Sequence, residues 1–147
     1  MIGWQLTMSL TKKDSAGYGS VYFQAVAKYN NIIKIKHVII SAGAYAADRT
    51  LNVSVRSASS AARVYDHIVK DRTMNNEDYA IYERLHGEIQ IPISGWFVVR
   101  MDDMAVDEYF TVRLHAELSQ YQKPSIGYFP SGSTLTTTTN TIYGVYE

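Results

Sequence analysis

The stretch GEIQIPISGWFVVRMDDMAVDEYFTVRLHAEL, from Gly87 to Leu118, decides the fold. It reads as strand, tight turn, strand, acidic turn, long strand. The last run is the cleanest. Phe110, Val112, Leu114, Ala116 and Leu118 point one way, and Thr111, Arg113, His115 and Glu117 point the other. A period of two with one apolar side marks a half-buried antiparallel strand. Ile89, Ile91 and Ile93 repeat the pattern upstream, with Pro92 suggesting an edge or bulge position because it has no amide to donate. Ser94-Gly95 predicts a two-residue hairpin, and MDDMAVDE a second hairpin turn.

The same alternation runs outward from this stretch. Leu51, Val53 and Val55 share a face, as do Trp4, Leu6 and Met8 in a first strand. Ile33 and Ile35 face in while Lys34 and Lys36 face out, after which the phase blurs at His37–Ile40, as at a bulge or a covered strand end. ARVYDHIV is a weaker strand, and GSVYFQAVAKY fits strand or helix. One short helix is allowed in DRTMNNEDYAIYERLHG, with Asn76 as cap, Tyr79, Ile81, Tyr82 and Leu85 as its apolar side and Gly87 as its stop. Many short strands with turn signals between them predict an all-β antiparallel sandwich or barrel.

The tail has a different composition. YQKPSIGYFPSGSTLTTTTNTIYGVYE holds Pro, Gly, Ser and a threonine run but few large aliphatics. The expected division is a β-sandwich domain over 1–118 and an extended C-terminal arm over 119–147. Threonines favour an extended chain, so the arm is expected to dock on another surface through its aromatics, with a flexible extension as the alternative, leaving a core that folds without it. Trp4, Tyr121, Tyr128, Phe129, Tyr143 and Tyr146 are the candidate interface residues.

Composition limits the function. The 147 residues fit one domain, and 14 basic against 14 acidic residues give a net charge of +0. That balance opposes a broad grip on nucleic acid, which needs clustered cations. Cysteine is absent, which excludes disulfides, thiolate nucleophiles and Cys-bound metals. No apolar run nears the ~20 residues of a membrane helix, and Met-Ile-Gly-Trp-Gln-Leu-Thr lacks the order of a signal peptide. Neither a nucleic-acid partner nor a membrane is expected.

The chemistry-bearing residues are scattered. His37, His67, His86 and His115 form no HxH or HExxH pair. His115 reads as a solvated rim residue and His37 as a satisfied, partly buried one. Asp102, Asp103, Asp107 and Glu108 form the one acidic cluster, read first as turn residues and second as a calcium site. The dispersed Arg49, Arg56, Arg63, Arg72, Lys34 and Lys36 read as solubilising residues. Trp96 reads as a core cap at a hairpin end, with a sugar-stacking platform as the alternative. No catalytic residue, cofactor or metal is expected, and the chain is read as a non-enzyme; a cupin-like or hydrolytic enzyme is the least favoured reading.

The middle of the chain resembles the small virion proteins of tailed bacteriophages. The matching pieces are IIKIKHVIISAGAYAADRTLNVSVR and IQIPISGWFVVRMDDMAVDEYFTVRLHAEL, over roughly Tyr29 to Leu118. They carry an alternating basic strand, a small-residue turn, an Arg opening the next strand, an Ile-Pro run, a Gly-aromatic step and an Asp-rich turn before a last long strand. Ala47-Asp48-Arg49 stands where the pattern has Gly-Asn-Arg. The resemblance implies a capsid-decoration (cement) or minor structural protein with a jelly-roll-like sandwich. It also implies residence in the virion after assembly in the host cytoplasm, partners among the major capsid protein or other virion subunits, and a homo-oligomer, most simply a trimer. A carbohydrate-binding module of fibre or lectin type is the alternative, using Trp96, exposed tyrosines and the Asp102–Glu108 turn.

Overall fold

A computed structural model describes residues 2–25, 33–42, 45–56, 66–74, 80–91, 95–120 and 125–145. The described residues form ten strands and no helix: β1 (Ile2–Lys12), β2 (Gly17–Gln24), β3 (Ile33–Ala42), β4 (Arg49–Arg56), β5 (Asp66–Met74), β6 (Ala80–Ile91), β7 (Trp96–Met104), β8 (Tyr109–Leu118), β9 (Ser125–Phe129) and β10 (Ser133–Val145). They make two five-stranded antiparallel sheets. Sheet A runs β10-β1-β8-β3-β6 and sheet B runs β5-β4-β7-β2-β9. The first eight strands pair 1 with 8, 3 with 6, 2 with 7 and 4 with 5, which is the nested pairing of a jelly roll.

The alternating apolar residues face one another across the sandwich. From sheet A come Trp4, Leu6, Met8 and Leu10 of β1, Ile33, Ile35, Val38 and Ile40 of β3, and Phe110, Val112 and Leu114 of β8. From sheet B come Val21 and Phe23, Leu51 and Val53, and Phe97, Val99 and Met101. Each such side chain contributes ~1.5–3 kcal/mol when fully buried. Trp4 packs edge-on against Phe23 of the other sheet, with ring centroids 5.6 Å apart. It is 1% exposed, so the interface role expected of Trp4 is corrected to a core role.

The blurred phase after Ile35 is a bulge. His37 pairs with His115 and Ile35 with Ala116, so Lys36 is the extra residue on β3. On the other side, Arg84 pairs with His37 and Ile89 with Ile35. Residues 85–88, Gly87 among them, therefore stand opposite Lys36 alone, an excess of three residues on β6.

Several expectations change. Residues 80–87 of the expected helix belong to β6, which runs on to Ile91, while Asn76 and Tyr79 lie outside the described residues. Pairing with β3 supplies the backbone partners that a helix would have supplied locally. Neither expected hairpin exists. β6 belongs to sheet A, β7 to sheet B and β8 to sheet A, so the strands on either side of Ser94-Gly95, and those on either side of the acidic turn, belong to different sheets; Ser94 itself lies outside the described residues. Among the strands of the described residues, only β4 and β5 are consecutive in sequence and adjacent in a sheet. The reason is physical: alternation marks which side of a strand is apolar but does not name the strand it pairs with.

The boundary expected at Leu118 is also corrected. β10 pairs with β1 along nearly its whole length, from Lys12↔Ser133 to Ile2↔Val145. β9 pairs with β2 from Ser20↔Phe129 to Gln24↔Ser125. Leu135 and Ile126 pack against the core. The tail is extended as expected, but it docks on its own sandwich and lengthens both sheets. Its β9–β10 turn is held by Gly132, whose φ is 92° and whose carbonyl accepts from the amides of Lys13 and Asp14, both at 3.3 Å. Gly127 lies directly under the Tyr22 ring, where a Cβ would collide with the phenol.

Two outcomes follow. Deleting residues 119–147 should lower the melting temperature and promote self-association through the bared edges of β1 and β2; a truncated chain that melts like the full one and scatters light as a monomer contradicts the tail's place in the fold. Gly127→Ala should cost about 1–3 kcal/mol in urea unfolding, because the Tyr22 ring must leave its position.

Candidate binding surfaces

The acidic turn after β7 does not assemble its carboxylates into one site. Glu108 turns inward and is 8% exposed, facing Arg49, which is 7% exposed. Arg49 Nε donates to Glu108 Oε1 at 2.7 Å and Nη2 donates to Oε2 at 2.8 Å, a two-pronged pair. Glu108 Oε1 also accepts from the Ala105 amide at 2.9 Å, and Oε2 from the Ala46 amide at 3.1 Å. One carboxylate thus joins the β3–β4 connection, the start of β4 and the β7–β8 turn. Local pattern presents Arg49 as one more dispersed solubilising cation, because its partner is 59 residues away.

The electrostatics match the geometry. Burial pushes the Glu108 carboxyl up, but the Arg49 hydrogen bonds and the amides of Ala105 and Ala46 outweigh it and hold the group below its ordinary 4.5. The bond to Glu108 raises Arg49 against the opposing effect of burial. Tyr45 is buried beside them, its ring 5.6 Å from the Arg49 guanidinium carbon. Burial first, then the Glu108 charge, push its phenol well above the usual range.

The other acids have separate partners. Asp102 Oδ1 accepts from Arg100 Nε at 2.7 Å, and exposed Asp107 pairs with Lys13 at 3.2 Å. Asp103 and Asp107 have φ of 60° and 69°, a left-handed backbone that Asp tolerates in turns. Among the described residues no three His, Asp or Glu side chains converge as a metal site.

The outer face of sheet B carries a ring cluster. Outward positions of β2 hold Tyr18, Ser20 and Tyr22, and those of β7 hold Trp96, Val98 and Arg100. Tyr22 sits at the centre, 4.5 Å from the Trp96 centroid and 5.4 Å from that of Phe129, with which it stacks at 27°. The Arg100 guanidinium carbon lies 4.2 Å above the Tyr18 ring. Ser20, Ser54 and Val98 are buried beneath these side chains although they face outward. A hollow of about 100 Å³ opens between Tyr18, Ser20, Arg56, Arg100 and Phe129. Burial, and then Arg100, lower the pKa of Arg56.

Of the residues expected at an interface, Phe129 is 51% exposed at the edge of this face, and Tyr128, 40% exposed, lies on the other side of β9, in register with the core residue Val21. Tyr143 belongs to β10, where the register with β1 shifts opposite Trp4. Tyr121 and Tyr146 lie outside the described residues. Trp96 is not the expected core cap; it lies half-buried in the outer ring cluster. Tyr18, Tyr22 and Arg100 were missed. The signal for the tyrosines was present in GYGSVYF, where they alternate with Gly19 and Val21, but the ambiguity between strand and helix concealed it.

The outer face of sheet A is polar. A groove of about 450 Å³ is lined by Gln5, Thr7, Ile39, Arg113 and His115, with the backbone of Leu6 and Leu114 among its walls. His115 lies on the outer side as expected. Gln5 Nε2 donates to His115 Nε2 at 2.8 Å, which places the imidazole proton on Nδ1. Burial, and then the neighbouring His37 ring at 6.2 Å, lower the pKa of His115. The side chains of His67 and His86 lie outside the described residues.

Glu108→Gln should destabilise the fold by about 3–5 kcal/mol in urea unfolding, because it leaves the Arg49 guanidinium buried without a counter-charge. The pH dependence follows from the depressed carboxyl. Its stabilisation is complete above the ordinary value of 4.5 and is lost as pH falls through the lower folded value. Acid unfolding below that point should therefore be shallower in the Gln variant; equal slopes rule out Glu108 as a main acid-sensitive group.

Comparison with protein-family models, with curated proteins and with solved structures finds no match to this chain.

Proposed function

We propose that this chain is a non-enzymatic structural protein of a virus particle, a decoration or cement subunit that binds the capsid or tail surface and self-associates, most simply as a trimer. The observation that carries the reading is the ring cluster on sheet B. Tyr, Trp and Arg are the side chains that supply most binding energy at protein interfaces, because they bury much area at small entropic cost. Here Tyr18, Tyr22, Trp96, Phe129 and Arg100 are already packed together on one face. The partner surface would pay little to order them. Repeated copies on a shell would add avidity to a modest single contact.

The resemblance of the Tyr29–Leu118 region to phage virion proteins supports the same reading, as does the jelly-roll pairing of β1 to β8. The partner expected is the major capsid protein or another virion subunit, and the location is the virion. The carbohydrate-binding alternative would use the same Trp96–Tyr22 platform, since a sugar's C–H face stacks on such rings.

The test is the mass of the purified chain by sedimentation, together with its co-sedimentation with particles from which it has been stripped. An oligomer that rebinds particles is expected. Tyr18→Ala and Phe129→Ala, both at exposed rings, should each weaken association by about 2 kcal/mol without changing the melting temperature. A strict monomer that ignores particles and instead binds neutral glycans through Trp96 overturns the proposal in favour of the alternative.

A further inference from the structure

We propose that the groove on the outer face of sheet A binds a carboxylated sugar, with Arg113 taking the carboxylate. This site lies on the face opposite the ring cluster and does not rest on the role assigned above. It starts from charge. The outer positions of β1 are the neutral Gln5, Thr7, Ser9 and Thr11, while β8 contributes Arg113 and His115 and β3 contributes Lys34, Lys36 and His37. On these three strands the one carboxylate is Glu117, and it is already 3.6 Å from Lys36 Nζ. Arg113 is exposed on the strand and stands in the groove wall. No hydrogen bond or ion pair joins its guanidinium to another described residue. A cation in a concave site whose described lining holds no acid selects an anion.

The shape of the donor set narrows the ligand. A guanidinium presents a planar fork that matches a carboxylate in two parallel hydrogen bonds. Around it stand groups suited to hydroxyls rather than to further charge: the Thr7 hydroxyl, the Gln5 amide and the neutral His115 ring. The Gln5–His115 hydrogen bond at 2.8 Å fixes both side chains before any ligand arrives, so little ordering remains to oppose binding. Ile39 supplies an apolar wall for ring C–H groups. The volume, about 450 Å³, is within the range of small-molecule sites and suits a monosaccharide with part of its neighbour. One carboxylate, several hydroxyls and one apolar face describe a sugar acid.

The experiment is an amide-resolved NMR titration of the full chain with glucuronate, glucose and inorganic phosphate in parallel. Glucuronate should give saturable shifts centred on Gln5, Thr7, Arg113 and His115. Glucose, which keeps the ring and loses the carboxylate, should bind at least about tenfold more weakly, and so should phosphate. Arg113→Gln should weaken glucuronate at least about tenfold while leaving the melting temperature unchanged, and Arg113→Lys should fall between. Phosphate binding as tightly as glucuronate would reduce the groove to a general anion site and overturn the proposal. So would glucose matching glucuronate, an absence of shifts in this groove, or an Arg113→Gln variant that binds normally.

Discussion

The two-pronged contact between Arg49 and Glu108 is the interaction on which one end of this sandwich depends. Arg49 opens β4 in sheet B, and Glu108 immediately precedes β8 in sheet A. Their bond therefore ties the sheets together where the β3–β4 connection and the β7–β8 turn meet. Backbone bonds extend the same hub to β1: the Lys12 amide donates to the Glu108 carbonyl at 3.0 Å, and the Asp107 amide donates to the Lys12 carbonyl at 2.6 Å. A buried ion pair is not in itself a strong source of stability, because desolvation offsets most of the attraction. Its effect is on geometry. Four hydrogen bonds converge on one carboxylate, and each is satisfied in only one arrangement of the two connections. Misplacing either connection would strand a charge in the interior.

How much of this was legible follows from what alternation encodes. The Gly87–Leu118 stretch supplies β7 and β8, the central strands of sheets B and A, so reading it well placed both apolar faces correctly. Trp4, Leu6, Met8, Leu51, Val53 and the whole β8 series are buried as their period implied. The bulge after Ile35 was visible because a bulge breaks the phase. Partnership was not visible. Ser94-Gly95 has hairpin chemistry, yet the strands before and after it belong to different sheets, since a turn dipeptide is compatible with both outcomes. β6 was mistaken for a helix because Tyr79, Ile81, Tyr82 and Leu85 suit a helical face; its extra residues within 85–88 also erase the strand phase. The Arg49–Glu108 pair was hidden for the same reason as the sheet order, because contacts between distant positions leave no local trace.

The two outer faces differ because each strand frees every second residue from packing. On sheet B those positions hold rings and arginines stacked on one another. On sheet A they hold Gln5, Thr7, Ile39, Arg113 and His115 around a hollow. Both faces rest on the same core, so a substitution on either one need not disturb it. The two faces can therefore vary independently of each other.

The tail bears directly on the first of these surfaces. The sheets stack so that β1 lies over β2, β8 over β7 and β10 over β9. Each of these pairs is consecutive in sequence, so β9 and β10 repeat the arrangement of β1 with β2 and of β7 with β8. They cover the β1 and β2 edges that an eight-stranded jelly roll would leave open. They also complete the ring cluster: Phe129 comes from the tail, while Tyr22 and Trp96 come from β2 and β7. The Tyr22 ring lies across Gly127, so the same contact that seats β9 also orients the central ring of the cluster. Docking of the tail and assembly of the surface are consequently one event. A tail that detached from β2 would remove Phe129 from its stack and free the Tyr22 ring, and the face would lose its preorganised form before any partner could meet it.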